Sequence, residues 1–149
     1  MVKEKVYQAL IPQIKALIQD KTDFIANLGN ICAAIHFAFN FHWTGFYIVK
    51  NDELVLGPFQ GPVACTRIGL GKGVCGKVWK QKKALIVEDV NQFDGHIACS
   101  PYSKSEIVIP LINNDEVWGV LDIDSSHFKN FDSTDLHNLT IICELLKKP

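Results

Sequence analysis

The sequence predicts a single α+β domain, residues 1–149, with a largely antiparallel sheet, and three observations carry that expectation. Two segments of helical hydrophobic period precede residue 43. Aromatic and β-branched runs separated by turn residues then fill residues 43–124, interrupted by one short glycine-led helix. A last amphipathic segment closes the chain. The 149 residues, 48% hydrophobic and 21% charged, suit one globule with a substantial core, and no internal repeat or low-complexity linker divides them.

The elements follow in order. Tyr7, Leu10, Ile11, Ile14, Leu17 and Ile18 form one apolar helix face over residues 3–18, where Pro12 should kink the helix or delay its start. Thr22 is the expected cap of a second helix, with Asp23 suited to its positive end. The stripe of that helix is Phe24, Leu28, Ile31, Ile35 and Phe39, and Cys32 within it reads as core. Trp43 to Val49 is a strand; Asn51-Asp52 turns the chain, and Leu54 to Leu56 returns. Gly57-Pro58 and Gly61-Pro62 bracket a loop. Ala64 to Ile68 reads as a short strand carrying Cys65. Glycines 69, 71 and 73 lead into a helix over roughly residues 74–81, and Ala84 to Val87 is a short strand.

Residues 89–104 have no regular period, and a loop of that length is usually functional. Ser105 to Ile112 and Glu116 to Asp124 form a hairpin around Asn113-Asn114-Asp115. Alternation puts Ile107, Ile109 and Leu111 on one face of the first strand, and Val117, Leu121 and Ile123 together on the second. Asp122 and Asp124 take the opposite face, and a three-residue loop would set Glu106 across from Asp122. Asp132 or Ser133 caps a last helix with the stripe Leu136, Leu139, Cys143 and Leu146.

The formal net charge is −1 and the lysines are scattered, so no basic surface for nucleic acid is expected. No stretch approaches the roughly 20 apolar residues that span a bilayer. The charged opening Met-Val-Lys-Glu-Lys-Val starts a helical pattern and is not a signal peptide, which points to a cytoplasmic protein. There, five cysteines are expected to be reactive, metal-binding or buried, not structural disulfides.

The chemistry concentrates between Cys65 and Cys99. Cys65, Cys75 and Cys99 are surrounded by small residues, which lets a ligand or another sulfur approach. Cys75, in the first turn of its helix, is expected to be partly activated by the helix N-terminus. Glu106, Asp122 and Asp124 sit on neighbouring strands, where like charges raise one another's pKa unless a cation, metal or donor network meets them. Arg67, the single arginine, is a candidate internal partner. A Cys₃His zinc site from Cys65, Cys75, His96 and Cys99 is conceivable, but no pair has the usual short spacing. A Cys99–His96 nucleophile pair is conceivable too. Thiol redox chemistry explains more, because one nucleophilic cysteine and one or two resolvers are present.

Trp43-x-Gly-Phe-Tyr47, Leu56-Gly-Pro-Phe-Gln-Gly61, Gly71-x-Gly-Val-Cys-Gly76, Phe93-Asp-Gly-His-Ile-Ala-Cys99, Ser105-Glu-Ile-Val108 and Gly119-Val-Leu-Asp-Ile-Asp-Ser125 together resemble the free methionine-(R)-sulfoxide reductases. The resemblance implies a GAF-like fold with a six-stranded, mainly antiparallel sheet and flanking helices. It implies free L-methionine (R)-S-oxide as substrate, Cys99 as nucleophile, and Cys65, or alternatively Cys75, as the cysteine that resolves a Cys99 sulfenic acid into a disulfide. Glu106, Asp122 and Asp124 match the family's site carboxylates, one of them the proton donor, and Trp43 would pack against the S-methyl group. Thioredoxin is the implied reductant and a homodimer the implied assembly; neither cofactor nor resident metal is expected. The alternative is a non-enzymatic GAF module that senses a small ligand.

Overall fold

A computed structural model describes residues 2–20, 23–97 and 100–148. Helix α1, Val2–Ile18, starts before Pro12 and runs through it, burying Tyr7, Leu10 and Ile14. Helix α2, Phe24–Phe39, is capped by Asp23, whose carboxylate accepts from the Ala26 N–H at 2.8 Å. The cap is thus Asp23 where the sequence suggested Thr22, which lies outside the described residues. Leu28, Ile31, Cys32 and Ile35 form the buried stripe of α2.

The strands are β1 (Trp43–Lys50), β2 (Glu53–Gln60), β3 (Arg67–Ile68), β4 (Leu85–Val87), β5 (Ser105–Asn113) and β6 (Glu116–Ser125). Every neighbouring pair is antiparallel, in the order β3-β2-β1-β6-β5-β4. Helix α3, Gly73–Gln81, packs on one face; α1, α2 and α4 (Ser133–Glu144) cover the other. No helix is long and apolar enough to cross a membrane among the described residues.

Three local features depart from the sequence expectation, each for a reason of strand geometry. Strand β2 continues to Gln60, because Gly57 and Pro58 form a bulge opposite Phe46 and Phe59 resumes pairing with Gly45. A proline fits there because β3 reaches only Leu54 and Val55, leaving the rest of β2 as an edge. The β5–β6 turn is only two residues, Asn114-Asp115, both at positive φ, as in a type I′ hairpin. An unpaired Trp118 then shifts the register between Leu111↔Gly119 and Ile112↔Val117. Trp118 enters the core under the helices, and Val117 crosses to the α3 side, away from Leu121 and Ile123. Glu106 consequently faces Asp124, not Asp122, whose partner is Val108.

Asp132 and Asp135 close a reciprocal capping box at the start of α4. Fully buried Asp135 also accepts from the Tyr7 hydroxyl and from Lys3 Nζ, both at 2.6 Å, which pins α1 to α4. Tyr7→Phe should therefore lower stability by about 1.5–3 kcal/mol, the usual worth of a hydrogen bond to a charged group. Urea denaturation would measure it, and an unchanged midpoint would mean that the hydroxyl contributes nothing.

Candidate active site

The α3 face of the sheet carries the carboxylates. Strand alternation directs Glu106, Asp122 and Asp124 to that side, and α3 lays its first turn across them. Glu106 and Asp122 are 5% and 6% exposed, an unusual depth for two acids. Cys75 arrives from α3, so that one donor atom each of Cys75, Glu106 and Asp122 lie within 4.8 Å of one another. Asp122 has the Glu106 carboxyl and the Cys75 thiol as neighbours, and its Oδ1 is buried without a hydrogen-bond partner. His96 Nε2 stands 3.9 Å from Glu106 Oε1.

Burial dominates the electrostatics. It holds the Glu106 and Asp124 carboxyls well above their ordinary range, and the Asp122 charge adds to both shifts. Burial raises Asp122 as well, but hydrogen bonds from Glu106 and Cys75 and the nearby His96 oppose that shift. Asp122 is thus the member best suited to carry charge, with Glu106 and Asp124 holding protons. Carboxyls raised in this way bind protons in the folded chain that the unfolded chain has released. Their contribution to stability is full below about pH 4 and is lost as pH rises toward their folded values. Glu106→Gln should therefore gain in Tm relative to the unsubstituted protein as pH rises from about 5 to about 8. Scanning calorimetry across that range would show it, and a constant Tm difference would contradict a raised Glu106.

A cleft of about 570 Å³, its open mouth included, lies above these acids. Trp43 forms one wall. Its indole N–H donates to the Pro62 carbonyl at 3.0 Å, and its ring stacks on Tyr47 and Phe59. A Cβ on Gly45 would overlap the Trp43 ring and Phe59, so only glycine lets Trp43 lie flat there. Gly45→Ala should cost about 1–3 kcal/mol as an overpacking change and disturb Trp43 fluorescence. Equal stability with unaltered emission would contradict this packing.

The Tyr47 hydroxyl donates to the Cys65 carbonyl at 2.9 Å, tying the segment over the mouth to β1. Ile97 contributes to the opposite rim, against Gly73. After it, Ser100 Oγ hydrogen-bonds with His42 Nε2 at 2.9 Å, anchoring the loop end to the residue before Trp43. Helix α3 presents its N-terminus to the cleft through Gly73 and Val74, with no side chain capping it.

Residues 23–147 match the GAF domain family. The chain is 43% identical to the free methionine-R-sulfoxide reductase of Escherichia coli, across 99% of this chain and 90% of that one. It belongs to the GAF-domain family of free methionine-R-sulfoxide reductases. The GAF domain-containing protein A of Dictyostelium discoideum is 54% identical over 97% of this chain and 92% of its own length. A crystal structure of the Neisseria meningitidis free methionine-R-sulfoxide reductase with its substrate superposes with a TM-score of 0.94 and 47% identity, covering 96% of this chain and 87% of that one.

Within this GAF-family fold, Trp43, Cys75, Glu106, Asp122 and Asp124 all line the cleft. Three expectations need correction. Cys65 is not on a strand, since β3 begins at Arg67; it is half-buried in irregular chain and is disulfide-bonded. That bond removes its sulfur from any zinc set of Cys65, Cys75, His96 and Cys99. Cys75 is not activated by its helix: burial, and then the Asp122 and Glu106 charges, push its thiol well above the ordinary value. Arg67 pairs with Glu53 at 3.3 Å on the surface and does not meet the acids. Cys99 lies outside the described residues. Cys32 and Cys143 are buried and free, with the Cys32 thiol pushed up to about 12 by burial. No periodicity or composition marks Tyr47, His42, Ser100 or Ser103 as site residues, although Tyr47 lies inside the motif Trp43-x-Gly-Phe-Tyr47.

Proposed function

We propose that this GAF-family protein reduces free L-methionine (R)-S-oxide to methionine with a cysteine thiolate. The observation that carries the reading is a floor of buried carboxyls, raised above their ordinary range by burial, beneath a small cleft whose wall residue Tyr47 holds the backbone of disulfide-bonded Cys65. Relatives support the substrate: the E. coli and Saccharomyces cerevisiae proteins, 43% and 40% identical, carry the name free methionine-R-sulfoxide reductase.

Asp122, with its unpaired Oδ1, receives the substrate ammonium. The substrate carboxylate takes the uncapped α3 N-terminus, where backbone N–H groups favour an anion. Trp43 packs against the S-methyl group. A peptide-bound sulfoxide lacks both terminal charges and gains neither contact. The Cys99 thiolate attacks the sulfoxide sulfur while the oxygen takes a proton from Glu106, which is bonded to both aspartates and can be reprotonated through them. The S–O bond breaks, methionine leaves, and Cys99 holds the oxygen as a sulfenic acid.

Cys65 then attacks that sulfenic acid, water leaves, and a Cys65–Cys99 disulfide forms, which a thioredoxin dithiol reduces. Cys65 is the resolver in this scheme because it is already disulfide-bonded while Cys32, Cys75 and Cys143 are free. Thiol titration of denatured protein, before and after one excess addition of the R-sulfoxide to reduced enzyme, tests the scheme. Two thiols should disappear. Retention of all five would favour a ligand-sensing module.

A further inference from the structure

The reductase scheme leaves the Cys75 thiol unused, yet this sulfur sits among the acids. Cys75 is free and 3% exposed. Its Sγ and one oxygen each of Glu106 and Asp122 lie within 4.8 Å of one another. Three donors on one tetrahedral cation, with bonds near 2.0–2.3 Å, stand about 3.5 Å apart, so small rotamer adjustments close this set on an ion.

Two features point to a metal beyond the mere presence of acids. Asp122 lines the cleft, and its Oδ1 is buried and has no hydrogen-bond partner. The thiol is the second: an ammonium group gains little from sulfur, whereas a borderline-soft dication bonds strongly to thiolate. Hard cations such as magnesium and calcium prefer oxygen alone and do not suit the set. His96, with Nε2 at 3.9 Å from Glu106, is the next donor outward and can complete the coordination from the open side.

We propose that Cys75, Glu106 and Asp122 bind a divalent cation of the zinc class, with Cys75 as thiolate. Binding forms one metal–sulfur and two metal–oxygen bonds and sends the thiol proton to solvent; no electron is transferred. The site overlaps the ammonium subsite of the proposed reductase, but the proposal does not rest on that activity.

Cobalt(II) is the probe, added to chelator-stripped, full-length protein with its Cys65 disulfide intact, so that Cys65 cannot contribute a thiolate. One equivalent should produce a thiolate-to-cobalt charge-transfer band that zinc then abolishes. Cys75→Ser should lose the band, and Cys32→Ser should keep it. Asp122→Asn, which preserves shape, should need more cobalt for the same signal, and it serves if Cys75→Ser fails to fold by circular dichroism. Absence of a band in the unsubstituted protein, its survival in Cys75→Ser, or an unchanged titration in Asp122→Asn would overturn the proposal. The titration measures no turnover, so its failure leaves the reductase reading standing.

Discussion

Cys99→Ser should abolish multiple turnover of free methionine (R)-S-oxide and leave the far-ultraviolet spectrum and Tm unchanged. An alkoxide is not available near neutral pH, and a serine oxygen cannot accept the sulfoxide oxygen as a sulfenic acid does. Losses on removing a nucleophile that works as part of a unit reach ~10⁶. Cys65→Ser should behave differently: one methionine released per chain, then a stalled sulfenic acid that dimedone labels. Cys75→Ser should keep cycling, since its thiol is buried and pushed away from ionisation. Turnover at full rate in Cys99→Ser would place the nucleophile elsewhere, and a single-turnover arrest in Cys75→Ser would move the resolving role to that residue.

Glu106→Gln should give the second largest loss, about 10²–10⁴-fold in kcat, the usual worth of a general acid. The amide keeps the shape and the cross-strand position opposite Asp124 but has no carboxyl proton to give. Because burial and the Asp122 charge hold Glu106 protonated above the ordinary carboxylate range, kcat/KM should fall as pH rises through its raised pKa. Glu106→Gln should lose that descending limb. Asp122→Asn should act mainly on KM, because Asp122 is assigned to the ammonium. A large kcat loss in Asp122→Asn with normal kcat in Glu106→Gln would exchange the two roles.

The sequence disclosed the sheet and helices well where periodicity was long. The stripes of α1 and α2 and the alternation of β5 are visible because burial repeats over several turns or residues. Register was not visible. The two-residue Asn114-Asp115 turn together with the bulge at Trp118 moved Glu106 from Asp122 to Asp124. A bulge leaves no periodic trace, because it breaks the very alternation used to find strands. The same holds at Gly57-Pro58, where turn-forming residues lie within a strand.

The site residues were readable as a motif, but their chemical states were not. Cys75 does occupy the first turn of α3, and the helix-dipole argument for a lowered pKa is sound locally. It fails because desolvation and two carboxylates across the sheet outweigh the helix end, and those neighbours come from residues 31 and 47 positions away. Arg67 likewise looked like a counter-ion only because it is the one arginine; β3 turns it to the surface toward Glu53.

Thioredoxin-coupled NADPH oxidation, run separately with the R and S epimers of free methionine sulfoxide, tests the central claim most directly. Steady oxidation with the R epimer alone, with methionine appearing in equal amount, is the predicted result. No oxidation with either epimer, and all five thiols retained afterwards, would contradict it and leave the cleft as the pocket of a ligand sensor.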